Sequence, residues 1–203
     1  MVQSTSFVKR KDCNQSLKIY TGYFQVCLEA VLDASITALA PQDTSEVKAL
    51  ISNAMADYEE GKVITATNRR LENLFATYQG EGKIMLVAKI GTAIVGAAGV
   101  GPLHGLSTAE GIAEIRDLVV SKSHRRMGLG GKLLAACVDF TKEHGYQTIY
   151  LETTPAMSGA QRLFEGFGFR AVVEQKADKS ESSQSSEEVP GYYILEDLRK
   201  SKN

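Results

Sequence analysis

The chain has 203 residues, 43% of them hydrophobic, which suits one well-buried domain with a small extension. Formal net charge is −1 at pH 7, so no global basic field points to nucleic acid, and no apolar run approaches the ~18 residues of a membrane span. Cys13, Cys27 and Cys137 form neither a metal-binding spacing nor a disulfide framework, which predicts a metal-free protein of a reducing, cytoplasmic compartment.

Residues 1–34 read as an extension. The first sixteen are polar, carry Lys9-Arg10-Lys11 and lack the apolar core of a secretory signal, so a disordered or loosely docked terminus is expected. Over 17–34, Tyr20, Tyr23, Cys27, Ala30, Val31 and Ala34 recur at helical spacing. This predicts a helix packed on the domain, or alternatively a partner-binding segment. A strand over 35–39 follows, then a helix over 44–60 capped by Asp43 or Thr44, with Glu46 in its first turn and Gly61 ending it. Its inner face is Val47, Leu50, Ile51, Ala54 and Met55. A second helix over 68–78 carries the stripe Leu71, Leu74, Phe75 and Tyr78, read first as core packing.

Residues 84–90 and 92–100 read as a hairpin turning at Gly91, and the second strand, AIVGAAGV, has no polar face and is expected in the centre of a sheet. Residues 101–111 form a mixed loop in which His104 is expected to be solvated. From Ala113 comes the strand that contains Ile115, Leu118, Val119 and Val120. Strand alternation predicts Glu114 and Arg116 on one face and Asp117 on the other. A carboxylate at the start of an otherwise buried strand needs solvent or a partner, so Glu114 is either a functional carboxylate or half of an ion pair with a neighbouring arginine.

The strand runs through a basic loop into Gly128-Leu129-Gly130-Gly131, where a helical pattern begins. Strand, basic glycine loop and helix together predict an anion site, because the first amides of a helix lack intrahelical partners and sit at the positive end of its dipole. Glycines 128, 130 and 131 allow close backbone approach, and Arg125, Arg126 and Lys132 add charge. An ordinary strand-turn-helix connection is the competing reading. A P-loop is excluded by Arg126 and Leu133 at its required Gly and Ser/Thr places, and the dinucleotide fingerprint by Leu133 in place of its third glycine. The helix should end at Gly145, with Leu133, Leu134, Cys137, Val138 and Phe140 buried, so Cys137 reads as core and not as a nucleophile. A strand over 148–153, a helix reaching Phe169, a strand over 171–175, a polar serine-rich and acidic mobile loop over 176–189, and a last strand over 192–195 complete the chain.

The run Arg125-x-x-Gly128-x-Gly130 resembles the Arg/Gln-x-x-Gly-x-Gly/Ala signature of the GNAT superfamily of N-acetyltransferases, and Ala160 to Phe169 (AQRLFEGFGF) resembles the superfamily's A-x-x-L-Y-E-x-x-G-F segment. The resemblance implies an α/β (α+β) fold over residues 35–198: a central mixed, mostly antiparallel sheet, splayed at the acetyl-CoA site and flanked by helices on both faces. It implies acetyl-CoA as cosubstrate without a metal, the pyrophosphate held by Arg125, Arg126, Met127, Gly128, Leu129, Gly130, Gly131 and Lys132, and the pantetheine arm by the backbone of Leu118, Val119 and Val120. The histone acetyltransferase branch has AEI where this chain has Ala113-Glu114-Ile115, which makes Glu114 the candidate general base. Phe75, Tyr78 and Tyr192 are candidates for the acceptor wall. The chain departs from the pattern at Met157, where the superfamily has asparagine, and at Phe164, where it often has the tyrosine that protonates the leaving thiolate. Tyr150, or else Tyr192 or Tyr193, is the candidate replacement. The implied reaction is direct acetyl transfer to a small-molecule or peptide primary amine. A non-catalytic acyl-CoA binding module and transfer of a longer acyl group are the alternatives. No nucleic-acid or membrane partner is expected, and a homodimer is compatible with each reading.

Overall fold

The computed structural model describes residues 34–56, 70–154, 157–172, 191–196 and 198. The helix expected over 17–34 and the serine-rich segment 176–189 lie outside the described residues, as do residues 57–60 and 68–69 of the two expected helices and 173–175 of the sixth strand. The elements in chain order are β1 (Ser35–Ala38), α1 (Thr44–Ala56), α2 (Leu74–Thr77), β2 (Ile84–Ile90), β3 (Ala93–Pro102), β4 (Ile112–Val120), α3 (Leu129–Glu143), β5 (Thr148–Thr153), α4 (Ser158–Gly166), β6 (Arg170–Val172) and β7 (Gly191–Leu195). The strands form one seven-stranded sheet in the order β1-β2-β3-β4-β5-β7-β6. Its ladders are antiparallel except β4 with β5, which is parallel and has α3 as its crossover. The expected mixed, mostly antiparallel sheet is therefore present. No helix among the described residues is long and apolar enough to cross a membrane.

Two apolar layers sandwich the sheet. On one face α3 buries Leu133, Leu134, Cys137 and Val138 against Ala88, Ala98, Ala113 and Ile115. On the other, α1 sets Val47, Ile51 and Ala54 over Val87, Ala97 and Val119, joined by Leu71, Leu74 and Tyr78. The small residues of β3 permit both approaches. A Cβ on Gly96 would lie 2.9 Å from Leu133 Cδ1, and one on Gly99 would lie 2.3 Å from the Tyr78 ring. Both helices therefore lie closer to the central strand than any larger residue would let them.

Several local expectations change. The Asp43 carboxylate receives a 2.6 Å hydrogen bond from Lys89 Nζ, and Thr44 Oγ1 does not cap α1, being buried without a hydrogen-bond partner among the described residues. The 68–78 helix breaks at Asn73, whose φ of −117° is not helical, although Leu71, Leu74 and Tyr78 of its stripe are buried and Phe75 is half-buried. Strand β3 extends to Pro102 and β4 begins at Ile112, with a short 3-10 turn over Thr108–Glu110 between them. Helix α3 ends as its sequence indicates: Gly145 has φ +77° and His144 stacks on Phe140 with ring centroids 3.9 Å apart.

The most consequential change is in β4. Ala97 pairs with Val119 while Gly99 pairs with Arg116, so two steps along β3 face three along β4. This is a β-bulge, and Asp117 within it has φ 53°, a left-handed conformation costing a non-glycine residue about 1 kcal/mol. The extra residue resets the alternation. Ala113, Ile115, Leu118 and Val120 all meet the α3 layer, and Val119 meets the α1 layer. Asp117 is thereby not on the face opposite Arg116, as simple alternation predicts. Its carboxylate accepts a 2.8 Å hydrogen bond from Tyr78 Oη and pairs at 3.2 Å with Arg70, on the α1 side.

Two outcomes follow from this packing. Gly99→Ala pushes a Cβ into a ring that Asp117 holds in place, so urea unfolding should show a loss of about 3 kcal/mol. Tyr78→Phe leaves one Asp117 oxygen without its donor and should cost about 1–3 kcal/mol. An unchanged midpoint for either variant contradicts the arrangement. Cys137 is fully buried, and burial pushes its thiol up to about 12. Site-resolved alkylation at neutral pH should therefore label Cys137 only at the rate of unfolding; immediate labelling contradicts its placement.

Candidate functional site

The bulge in β4 is followed by a parting of the sheet. The β4–β5 ladder ends at the pair Ile115↔Leu151, although β4 continues to Val120 and β5 to Thr153. On its other edge, β4 still pairs with β3 through Val119 and Val120. The backbone of Leu118–Val120 therefore has one edge in the sheet and one facing a gap, where its polar groups need partners. A cavity of about 300 Å³ occupies the gap, with Leu118, Val119 and Val120 on one wall and Met157, Gly159, Ala160 and Leu163 of the α4 region on the other. Ala54 and Met55 of α1, His124, Arg125, Arg126, Leu129 and Gly130 complete its lining.

The cavity ends at the start of α3. The cap residue Gly128 has φ +86° and no side chain to offer the helix amides, and Lys132 N–H donates to its carbonyl at 3.1 Å. A Cβ on Gly130 would come within 3.3 Å of Leu163, so a larger residue there would crowd the gap. Arg125 Nε donates to the Val120 carbonyl at 3.2 Å, which orients its guanidinium beside the strand end. Arg126 holds φ 67°, a left-handed backbone at an exposed arginine next to the cavity. Strain of this kind persists where surrounding structure imposes it and clusters at functional sites.

Just before the ladder ends, the register makes one row across the sheet, none of it lining the cavity: Gly101 beside Glu114, Glu114 beside Tyr150, Tyr150 beside Ile194. Cross-strand partners share a face, so Glu114 and Tyr150 lie side by side on the α1 face. Tyr192 joins them, its ring centroid 5.3 Å from that of Tyr150. The ion pair expected as one reading of Glu114 is present. Glu114 Oε2 lies 3.1 Å from Arg116 Nε, and the His104 backbone also bonds the carboxylate. Yet burial outweighs these contacts and raises its pKa above the ordinary glutamate value, with Glu152 adding to the rise. Burial likewise raises the Tyr150 phenol, assisted by Tyr192 and Glu152, so it is a protonated donor at neutral pH.

Of the residues singled out in the sequence, Leu118, Val119, Val120, Arg125, Arg126, Leu129 and Gly130 line the first cavity, whereas Met127, Gly128, Gly131 and Lys132 do not. Tyr78 is buried and lines a separate, smaller cavity, and Phe75 packs on the α1 layer and lines neither. Tyr193 belongs to the α3 layer, 5.8 Å from Phe164, and that phenylalanine also packs on Phe169. Tyr193 therefore drops out as a partner for Glu114, and the Phe164 ring stands in the core. Sequence reasoning missed His124, Glu152, Met55 and Leu163. For the first two no motif marks the position; the last two carry an ordinary apolar pattern that gives no sign of facing a gap.

Comparison with known proteins agrees with this architecture. A Staphylococcus aureus acetyltransferase of the GNAT family superposes with a TM-score of 0.64 at 22% identity, covering 81% of this chain and 99% of the other. A Salmonella typhimurium protein solved with its cofactor acetyl-CoA gives 0.64 at 19% identity over 80% and 93%. In sequence, an uncharacterized N-acetyltransferase of Schizosaccharomyces pombe is 30% identical over 141 residues, 68% of this chain and 83% of that protein. The uncharacterized N-acetyltransferase YjgM of Escherichia coli is 28% identical over 136 residues, 66% and 80%. The model described as the Acetyltransferase (GNAT) family matches residues 48–169, more than half of the chain, and with the splayed sheet and its glycine-led helix this places the protein in the GNAT family of acetyltransferases.

Proposed function

We propose that residues 35–198 act as one unit that transfers the acetyl group of acetyl-CoA to a primary amine, both substrates being held together in the sheet gap. The observation that carries this reading is the gap itself, which runs from the uncapped start of α3 along the free edge of Leu118–Val120. The half-buried Glu114 lines neither cavity but stands on the same strand, one residue before the β4–β5 ladder ends. The fit to acetyl-CoA rests on chemistry present in the chain. Free helix amides with Arg125 and Arg126 suit a pyrophosphate, and a strand edge with apolar walls suits an amide-bearing arm. The Salmonella typhimurium structure with acetyl-CoA supports the same assignment by analogy of fold.

Acetyl-CoA supplies an acetyl group already activated as a thioester. The protein's own residues would then do three things. The gap orients the amine toward it, which removes much of the entropic barrier to a two-substrate reaction. Glu114, its affinity for protons raised by burial, takes a proton from the acceptor ammonium. Tyr150, next to Glu114 across the β4–β5 ladder, keeps its proton and stands as the donor for the departing thiolate. The acyl-CoA binding module without turnover was suggested by Phe164, whose ring lies in the core; turnover of any amine excludes it.

Two experiments test the reading. Glu114→Gln should lower kcat/KM by about 10² to 10⁴-fold. In the native protein, kcat/KM should rise with pH as Glu114 loses its proton, with the acidic limb above the ordinary glutamate range, and that limb should vanish in the variant. An identical limb in both proteins removes Glu114 from the mechanism. Arg126→Gly relieves a left-handed arginine worth about 1 kcal/mol, so it should hold or raise the melting temperature. It should weaken acetyl-CoA about fivefold through loss of one cation near the phosphates. Unchanged affinity by calorimetric titration contradicts the phosphate assignment.

A further inference from the structure

A second cavity, of about 200 Å³, opens on the same face of the sheet as Glu114, on the β3 side of that carboxylate. Its walls are apolar at Pro102, Leu103 and Leu106, and two cations, Lys83 and Arg116, enter it. Gly101 is the strand partner of Glu114, so the cavity and the carboxylate are neighbours. A Cβ on Gly101 would lie 3.7 Å from Arg116 Nη2 and 3.7 Å from Lys83 Cγ. Both side chains thus lie over the same point of the sheet, at ordinary contact distance from it.

The charges around this point are unevenly matched. Arg70 stands against Asp117 and Arg116 against Glu114. Lys83 forms no ion pair with a described residue, and with Arg116 it lines the cavity. Beyond Glu114, on β5, the exposed Glu152 supplies the opposite charge, close enough to bear on the proton affinity of Glu114. The cleft is therefore positive toward β3 and negative toward β5, with Glu114 between. A ligand complementary to it carries both signs, because a purely cationic diamine would set its second ammonium against Lys83 and Arg116 or leave that cavity empty.

We infer that the acceptor is a primary amine that also bears a carboxylate, its ammonium drawn to Glu114 and its carboxylate held in the second cavity by Lys83 and Arg116. This rests on the reading of the Glu114 cleft as the acceptor site. Burial of a carboxylate between a guanidinium and an ammonium makes charge-assisted hydrogen bonds that the decarboxylated amine cannot form, and a site built for them rejects the analogue that lacks them.

The test is calorimetric titration of matched pairs into the coenzyme A-saturated protein: leucine with isoamylamine, lysine with cadaverine, and 6-aminohexanoate with pentylamine. At least one acid should bind ten times or more tighter than its decarboxylated partner, about 1.4 kcal/mol. Lys83→Gln should cut that ratio at least fivefold. Gly101→Leu, whose Cβ meets only ordinary contacts, fills the cavity and should abolish the ratio. Coenzyme A titration on the same variants reports whether each still folds. Equal binding within all three pairs, tighter binding of the amines, or a ratio indifferent to both substitutions overturns the inference. If coenzyme A itself does not bind, the acetyltransferase reading fails separately. The pairs titrated into the protein alone then still decide whether the cleft prefers a carboxylate.

Discussion

A single residue too many in β4 shapes everything functional in this molecule. The bulge at Asp117 costs left-handed strain, and its carboxylate is held by Tyr78 at 2.8 Å and Arg70 at 3.2 Å on the α1 side. Because the bulge resets which side chains face which layer, Leu118 and Val120 can join the α3 core while the strand swings away from β5. The tyrosine that fixes the bulge reaches it only because Gly99 leaves room for the ring. Bulge, glycine and phenol are thus one mechanical unit. The gap it maintains is lined by the unpaired edge of the strand it bends.

Electrostatics in the cleft follow the same economy of elements. Glu114 and Arg116 share a face through ordinary alternation, and the bulge adds Asp117 to that side with Arg70 opposite. Two carboxylates and two guanidiniums are thereby concentrated near the end of the β4–β5 ladder. Pairing keeps the charges affordable in a partly buried place, and burial still dominates at Glu114, leaving its proton affinity raised. A carboxylate in that condition holds a proton more strongly than an exposed glutamate does.

Much of this was legible in the residues. The order of elements, the central small-residue strand, the glycine-led α3 with Gly145 closing it, and the buried place of Cys137 all follow from periodicity and cap chemistry, and the structure has them where the pattern puts them. The glycine loop marked one end of the gap. What stayed hidden has a common physical cause. A bulge leaves no compositional trace, so strict alternation misplaced Asp117. Convergence in space of residues distant in the chain, such as Met55 with Leu163 or Lys83 with Arg116, depends on how helices and strands are placed in three dimensions. Phe164 read as a lost acid, because a motif records residue type and not the direction of a ring.

The short β4–β5 ladder has one more implication. Only the pairs from Ile112↔Thr148 to Ile115↔Leu151 stitch β1–β4 to β5–β7 through the sheet, with α3 as the covalent bridge. The two half-sheets meet at that seam over one shared α3 core, and beyond it their facing edges stand open. A ligand with backbone-like groups would complete the sheet there, and each bond it made would be one that the protein's own ladder leaves out.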